Sequence, residues 1–229
     1  LCRVVNSLGA RYVLDVRGLE HVAPERDPFL LVLNHNQRYE AVLIPTLLVY
    51  HRSGRLIHFM ADWHFMLMPF VAMLYRQSRV ILIANKDALW KPLNVFRPLF
   101  TDGVPPFERA LERLRGGASV GIFPESTINR DPTRLLRGST GAARLALDSG
   151  VPIVAAGIRF PNHDPAQPIR DGERMTLEIC PPIVPERPHG PEPTLAEVRA
   201  LHQTLMETIA RACGKHWSPQ ARRRRASCR

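Results

Sequence analysis

Lysine is nearly missing from these 229 residues: Lys86, Lys91 and Lys215 are the whole complement, so the basic charge rests on arginine. Lys+Arg number 31 against 21 for Asp+Glu, a formal net charge of +10. An arginine excess of this kind suits anions, because the planar guanidinium pairs bidentately with phosphate and carboxylate. Cysteine is scarce as well. Cys2, Cys180, Cys213 and Cys228 show no CxxC spacing and no tight cluster, which argues against a zinc-finger set and a disulfide framework and for reduced thiols. No run of about 20 uninterrupted apolar residues occurs, so no segment has the composition of a bilayer-spanning helix. His51, His58 and His64 lack the HExxH spacing of a zinc protease, and GSTG at 138–141 is not the GxSxG elbow of a serine hydrolase. Hydrophobic residues make up 45% of the chain and charged ones 23%, the balance of a chain that buries a core.

Apolar runs alternate with helical periods along the chain. RYVLDVRGLE (11–20) reads as a strand ending at Gly18, and FLLVLN (29–34) is a compact run of buried-strand length. AVLIPTLLVY (41–50) has helical length and is bent or started by Pro45. Residues 56–75, rich in Met, Phe and Trp, read as a strand plus a buried helix, or as an adaptable apolar wall for an acyl chain or a membrane. VILIA (80–84), SVGIFP (119–124), VPIVAAGI (151–158) and MTLEICPPI (175–183) read as further strands. FERALERLR (107–115) and TGAARLALDSG (140–150) read as helices stopped by Gly116-Gly117 and Gly150. After a proline-rich stretch at 181–193, Leu195, Val198, Leu201, Leu205 and Ile209 mark one face of a helix over 194–213. Strands alternating with helices predict an α/β fold.

Three polar stretches follow apolar runs. The first is Asn34-His35-x4-Glu40. Histidine titrates near neutrality and can take a proton from a hydroxyl; a carboxylate beside it fixes the tautomer and stabilises the imidazolium that forms. With His35 just ahead of a helix, Glu40 lies about one turn further on and can reach back to the ring. The plain alternative is an exposed histidine near a helix-stabilising glutamate. The second stretch is Phe123-Pro124-Glu125-Ser126-Thr127. Glu125 and Thr127 can hydrogen-bond a polyol and Arg130 can meet a phosphate, or the segment is a turn with a helix N-cap at Ser126 or Thr127. The third, Arg137-Gly138-Ser139-Thr140-Gly141, offers a cation and a helix start that suit an anion, or serves as a plain junction.

Taken in order, these stretches resemble the phospholipid and glycerol acyltransferase family. Its lysophosphatidic acid acyltransferases carry NHxxxxD, then a strand ending in arginine, then FPEGTR, then a strand of the VPIVPV type. The matching segments are NHNQRYE (34–40), ILIANK (81–86), FPESTINR (123–130) and VPIVAAGI (151–158), with LLRGSTGAARLALDSG (135–150) similar to the connecting helix. The resemblance implies one glycerolphosphate acyltransferase-like α/β domain over 1–185, with a mixed, largely parallel central sheet flanked by helices. A linker and helix packing on it would occupy 186–215, and a basic, disordered tail 216–229. It also implies His35 as general base with Glu40 as its partner, Lys86 in the place of a phosphate-contacting arginine, and Glu125 against the acceptor. Ser126, Thr127, Arg130 and Arg137 complete the candidate substrate-binding set. Acyl-CoA or acyl-carrier protein is the implied donor, with no metal or other cofactor. The default acceptor is 1-acylglycerol 3-phosphate, with a non-phosphate lipid or specialised metabolite as the alternative. The implied setting is the cytoplasmic face of an anionic membrane, in a peripheral or monotopic position.

Four departures stand out. Glutamate replaces aspartate at 40 and lysine replaces arginine at 86, which loses the bidentate fork. Ser126 stands where the family has glycine, and Ile128 where it has arginine. A non-catalytic lipid-binding relative, or a nucleic-acid binder resting on the RRRR run at 222–225, are the different-class readings. The ordered motifs favour chemistry over both, and no nucleic-acid partner is expected.

Overall fold

The run Leu30-Leu31-Val32-Leu33 is apolar on both faces, and such a strand belongs inside a parallel sheet covered by helices on both sides. In the computed structural model, which describes residues 9–84, 87–88, 90–101, 103–186 and 188–220, that is where it lies. The strands are β1 (Val13–Arg17), β2 (Leu30–Leu33), β3 (Ile57–Asp62), β4 (Ile81–Ile83), β5 (Ser119–Ile122), β6 (Ile153–Arg159) and β7 (Met175–Ile179). They form one seven-stranded sheet in the order β1-β7-β6-β2-β5-β3-β4. Every pairing is parallel except β6 with β7, so the sheet is mixed and largely parallel, as expected. All four residues of β2 are buried between β6 and β5, with Leu30 opposite both Ile153 and Val120.

The helices are α1 (Glu40–His51), α2 (Pro69–Gln77), α3 (Pro106–Arg115), α4 (Gly141–Ser149) and α5 (Leu195–Cys213). One face of the sheet, carrying Leu31, Leu33, Phe59 and Ile158, packs on Ile44 and Leu48 of α1. The other, carrying Leu30, Val32, Val120 and Ile153, packs on α3, α4 and α5 through Leu114, Leu145, Leu205 and Ile209. Each fully buried leucine of this kind contributes about 1.5–3 kcal/mol. Consequently the chain leaving β2 turns to one face and the chain leaving β5 turns to the other, although the two strands are neighbours. Divergence at adjacent carboxyl ends opens a crevice, the usual ligand position in an open α/β sheet.

Three elements differ from the sequence reading. Of the two alternatives for Pro45, starting the helix falls away: α1 begins at Glu40 and Pro45 lies inside it, and Thr46 Oγ1 donates to Val42 O at 2.7 Å. The second half of 56–75 is no buried helix. A 3-10 turn (Trp63–Leu67) precedes α2, where Ala72 alone is buried; both belong to the connection that leads into β4, the last strand of the sheet. The body also reaches past the expected start of the tail at 216. Leu135 N donates to His216 O at 2.9 Å, His216 N to Thr133 O at 2.8 Å and Trp217 Nε1 to Arg137 O at 3.2 Å. The remainder of that tail, 221–229, lies outside the described residues.

Helix α5 matters most for the site. Thr194 and Glu197 form a reciprocal capping box at its start, which satisfies two orphan backbone donors. Its last turn lies directly on β6 at Gly157, where a Cβ would come within 2.3 Å of the Ala212 carbonyl carbon. Gly214 then takes a φ of +69°, ending the helix in the left-handed conformation that glycine adopts without steric cost. That turn aims the following residue, Lys215, into the protein.

Candidate active site

His35 follows β2 by two residues and Glu40 opens α1, so strand end and helix start hold the pair between them. His35 Nδ1 lies 2.9 Å from Glu40 Oε2. The Glu40 carboxylate is fully buried, and two further donors complete its shell: Asn36 N to Oε2 at 2.7 Å and Asn36 Nδ2 to Oε1 at 3.0 Å. An acceptor so placed fixes the histidine proton on Nδ1 and leaves Nε2 as the basic nitrogen. Nε2 has no protein partner among the described residues, and the side chain keeps 14% exposure. Phe123 packs against the ring at a centroid distance of 4.5 Å. Asn34 pins the end of β2 to β6: its Oδ1 accepts from Ile158 N at 2.8 Å and its Nδ2 donates to Ile158 O at 3.1 Å.

Glu125, at the carboxyl end of β5, is also buried. Its Oε1 accepts from His35 N at 3.3 Å; its Oε2 accepts from Asn129 Nδ2 at 2.7 Å and Leu136 N at 2.8 Å. The carboxylate therefore fastens the β5 loop to the β2 loop, and its known partners are protein donors rather than open space. Burial pushes its pKa up, opposed by those hydrogen bonds and by the charge of Lys215. Asn129 N closes the same fastening by donating to His35 O at 2.7 Å.

Lys215 arrives behind the pair from the end of α5. Its Nζ donates to Asn36 Oδ1 and, at 2.6 Å, to Asp131 O, and the residue is 8% exposed. Burial lowers its pKa, while Glu125, Cys213, Glu40 and Asp131 pull the other way. Around the opposite rim the β6–β7 connection is clasped to the HNQR loop. Gln37 Oε1 accepts from Gly172 N at 2.6 Å, its Nε2 donates to Glu173 O at 2.9 Å, and Arg38 N donates to Asp171 Oδ1 at 2.9 Å.

Arg130, expected to meet a phosphate, is joined to this clasp: Nη1 donates to Ile169 O at 2.8 Å and Nη2 to Asp171 Oδ2 at 2.9 Å. Ser126, Thr127 and Arg137 are exposed on the segment after β5. No helix starts at Ser126 or Thr127; Ser126 N closes a turn onto Phe123 O at 3.0 Å, with φ at +56°. That left-handed value accounts for the glycine expected at this place, since a side chain there costs about 1 kcal/mol. Lys86 lies outside the described residues. Among the described residues no group of three His, Cys, Asp or Glu is placed to hold a metal ion.

A buried histidine–carboxylate pair at the carboxyl edge of a largely parallel sheet is the setting in which the acyltransferase family model matches, over residues 13–159. The chain belongs to the acyltransferase family. The match takes in His35, Glu40 and Glu125 and ends with β6, before β7, α5 and Lys215. A solved structure is similar over most of both chains: the 1-acyl-sn-glycerophosphate (LPA) acyltransferase PlsC from Thermotoga maritima. It aligns with 95% of this chain and 81% of its own at a TM-score of 0.60 and 17% identity, a likeness of fold. No curated protein sequence is a significant match. No described helix of this acyltransferase is long and apolar enough to cross a membrane.

Sequence reasoning missed Asn36, Asn129 and Lys215. The signal for Lys215 was present in its rarity: a lysine in an arginine-rich chain, directly after the glycine stop of a helix. For Asn129, the FPESTINR segment gave no hint that its side chain would bridge Glu125 to Arg134 O, at 2.7 and 2.8 Å.

Proposed function

We propose that this acyltransferase moves a fatty acyl group from acyl-CoA or acyl-carrier protein to the hydroxyl of a lysophospholipid, with 1-acylglycerol 3-phosphate as first acceptor. The observation that carries the reading is the His35 Nδ1–Glu40 hydrogen bond of 2.9 Å, with Nε2 left open beside it. In this reading Nε2 takes the acceptor hydroxyl proton as the oxygen attacks the thioester carbonyl. The tetrahedral intermediate collapses, the C–S bond breaks, and the imidazolium returns its proton to the departing thiolate. Glu40 steadies the imidazolium between those steps. The thioester is already activated, so no covalent enzyme intermediate is needed.

Acceptor contact is assigned to the exposed Ser126, Thr127 and Arg137 together with Lys86, while Glu125 and Arg130 hold the loops that carry them. A lipid surface is the proposed setting. Phe65, Met68, Phe70 and Met73 around α2, and Trp90, Val95, Phe96 and Leu99 around the 3-10 segment Lys91–Phe100, are exposed large apolar residues. The same stretch carries Arg76, Arg79, Lys91 and Arg97, and basic residues beside exposed aromatics suit an anionic headgroup layer.

The test mixes the protein with long-chain acyl-CoA and an acceptor panel: lysophosphatidic acid, glycerol 3-phosphate, and non-phosphorylated alcohols and amines. Thiol release and acylated product are followed together, with His35→Ala alongside. Product from lysophosphatidic acid that disappears in the variant is the expected result. Turnover with a non-phosphate acceptor alone reassigns the acceptor and keeps the chemistry. Undiminished activity in His35→Ala refutes the mechanism.

A further inference from the structure

Glu40 is a fully buried carboxylate whose direct donors among the described residues are His35 and Asn36. A buried charge without a balancing cation is costly, and His35 supplies one only in the half of the cycle when its ring is protonated. The Asn36 side chain is the hinge of the arrangement. A primary amide can face either way, but here Lys215 Nζ and Asn34 Nδ2 both donate to one side of it. That side must therefore be the oxygen, and the NH2 is turned on Glu40. We infer that Lys215 is a positioning residue for the His35–Glu40 pair: its ammonium fixes Asn36 as a donor toward Glu40 and supplies the positive charge that favours the carboxylate. The kinetic consequence rests on the acyl-transfer reading; the electrostatic one does not.

The groups that face Lys215 come from every surrounding element. Glu40 is on α1, Glu125 on the β5 loop, Asp131 beyond it and Cys213 on α5. The Cys213 thiol is pushed up to about 11 by burial and stays neutral in the working range. Two buried carboxylates, Glu40 and Glu125, thus share one buried ammonium. Remove its charge and the pair binds its proton more tightly, whether that proton rests on His35 or on Glu40, because a departed cation no longer disfavours the protonated form. The rate needs neutral His35 beside anionic Glu40, so the acid limb of kcat/KM must move to higher pH.

The experiment compares Lys215→Met, Lys215→Gln and Lys215→Arg with wild type between about pH 5 and 9. Gln keeps a donor for Asn36 and drops the charge, so it carries the test if Met misfolds. Two readouts run in parallel: the pH profile of acyl transfer, and the NMR titration of the His35 ring, which needs no turnover. The expected result is an acid limb and a ring titration moved up by about one pH unit in Met and Gln. In Arg both stay near the wild-type position, and KM for the thioester stays within about twofold throughout. A lower rate in folded protein with neither curve moved means a merely structural lysine and overturns the inference. So does an Arg variant that shifts as far as Met. If wild type transfers no acyl group to any acceptor, the acyl-transfer reading fails, and the ring titration still decides the role of Lys215.

Discussion

Replacing Glu40 by glutamine removes a charge and almost no volume, and the hydrogen-bond pattern lets its effect be worked out. The carboxylate accepts three bonds, from His35 Nδ1 and Asn36 N on Oε2 and from Asn36 Nδ2 on Oε1. A glutamine can put its oxygen at only one of the two sites. With the oxygen at the Oε2 site, its NH2 confronts Asn36 Nδ2, donor against donor. Asn36 cannot flip to relieve this, because its other side would then turn an NH2 toward Lys215 Nζ and Asn34 Nδ2. With the oxygen at the Oε1 site, the NH2 confronts both Asn36 N and the His35 Nδ1 proton and drives the ring to the wrong tautomer. Two buried donors, the new amide and Asn36 Nδ2, are orphaned in the better case, each at a cost of about 1–3 kcal/mol of stability. Lost orientation and lost imidazolium stabilisation lower kcat/KM by about a hundred- to ten-thousand-fold. Thiol release from acyl-CoA measures the second effect and denaturant unfolding the first. A folded Glu40→Gln protein with kcat/KM within about threefold of wild type would refute the assignment of Glu40 as orienter.

Other outcomes follow from the packing and from burial. Gly157→Ala sets a Cβ within 2.3 Å of the Ala212 carbonyl carbon and 2.4 Å of Cys213 N, both backbone atoms that no rotamer change can move. The end of α5 has to shift, at a cost of about 3 kcal/mol in denaturant unfolding; full activity in that variant would argue that Lys215 need not be held where it is. Ser126→Gly relieves a φ of +56° and raises stability by about 0.5–1 kcal/mol, read from the thermal midpoint. His58 and His202 both have pKa values lowered from 6.5, chiefly by burial. The unfolded chain therefore takes up protons first as pH falls through 6.5, and stability is lost from there down to the folded values, at up to about 1.4 kcal/mol per pH unit for each group. Denaturant midpoints at pH 7.5 and 5.5 measure this; His202→Gln, which keeps a donor for Arg137 O, flattens the slope, and an unchanged slope counts against the assignment.

The His35–Glu40 pair was legible in the sequence because it is local. Four residues separate His35 from Glu40, and a strand ending before a helix start brings them together without help from elsewhere. The sheet was legible for a similar reason: buried parallel strands such as LLVL and VPIVAAGI are apolar throughout and stand clear of their polar loops. What could not be read was set by long-range contact. Lys215 meets Asn36 across 179 positions, and no spacing or period links the two. Arg130 looked available for phosphate because FPESTINR does not show that Asp171, 41 positions on, lies beside it. The exposure of Phe70 and Met73 was one of two readings of 56–75, a buried helix or an apolar wall, and the sequence did not choose between them. The sequence singled out Glu125 but did not show its burial, which depends on Asn129 and Leu136 closing over it.

These placements divide the site into parts under different constraint. The cluster of His35, Glu40, Asn36 and Lys215 is buried or nearly so, and its partners follow one donor-to-acceptor order. Almost any substitution there leaves a buried polar group unmatched, so that part tolerates little change. The segment with Ser126, Thr127 and Arg137 is solvent-facing, where water can satisfy a polar group that a changed side chain uncovers. The departures from the family pattern follow this line. Glu40 keeps the charge that the pair needs, whereas Ile128 and Ser126 alter the exposed loop, and Arg130 has been drawn into the β6–β7 clasp. Discrimination between acceptors depends on which polar groups are left unpaired when the wrong one binds. With Arg130 engaged by Asp171 and Ile128 unable to donate, a phosphate-bearing acceptor would rely on Lys86 and Arg137. The acceptor panel therefore probes the loops around the pair, while His35→Ala and Glu40→Gln probe the chemistry beneath them.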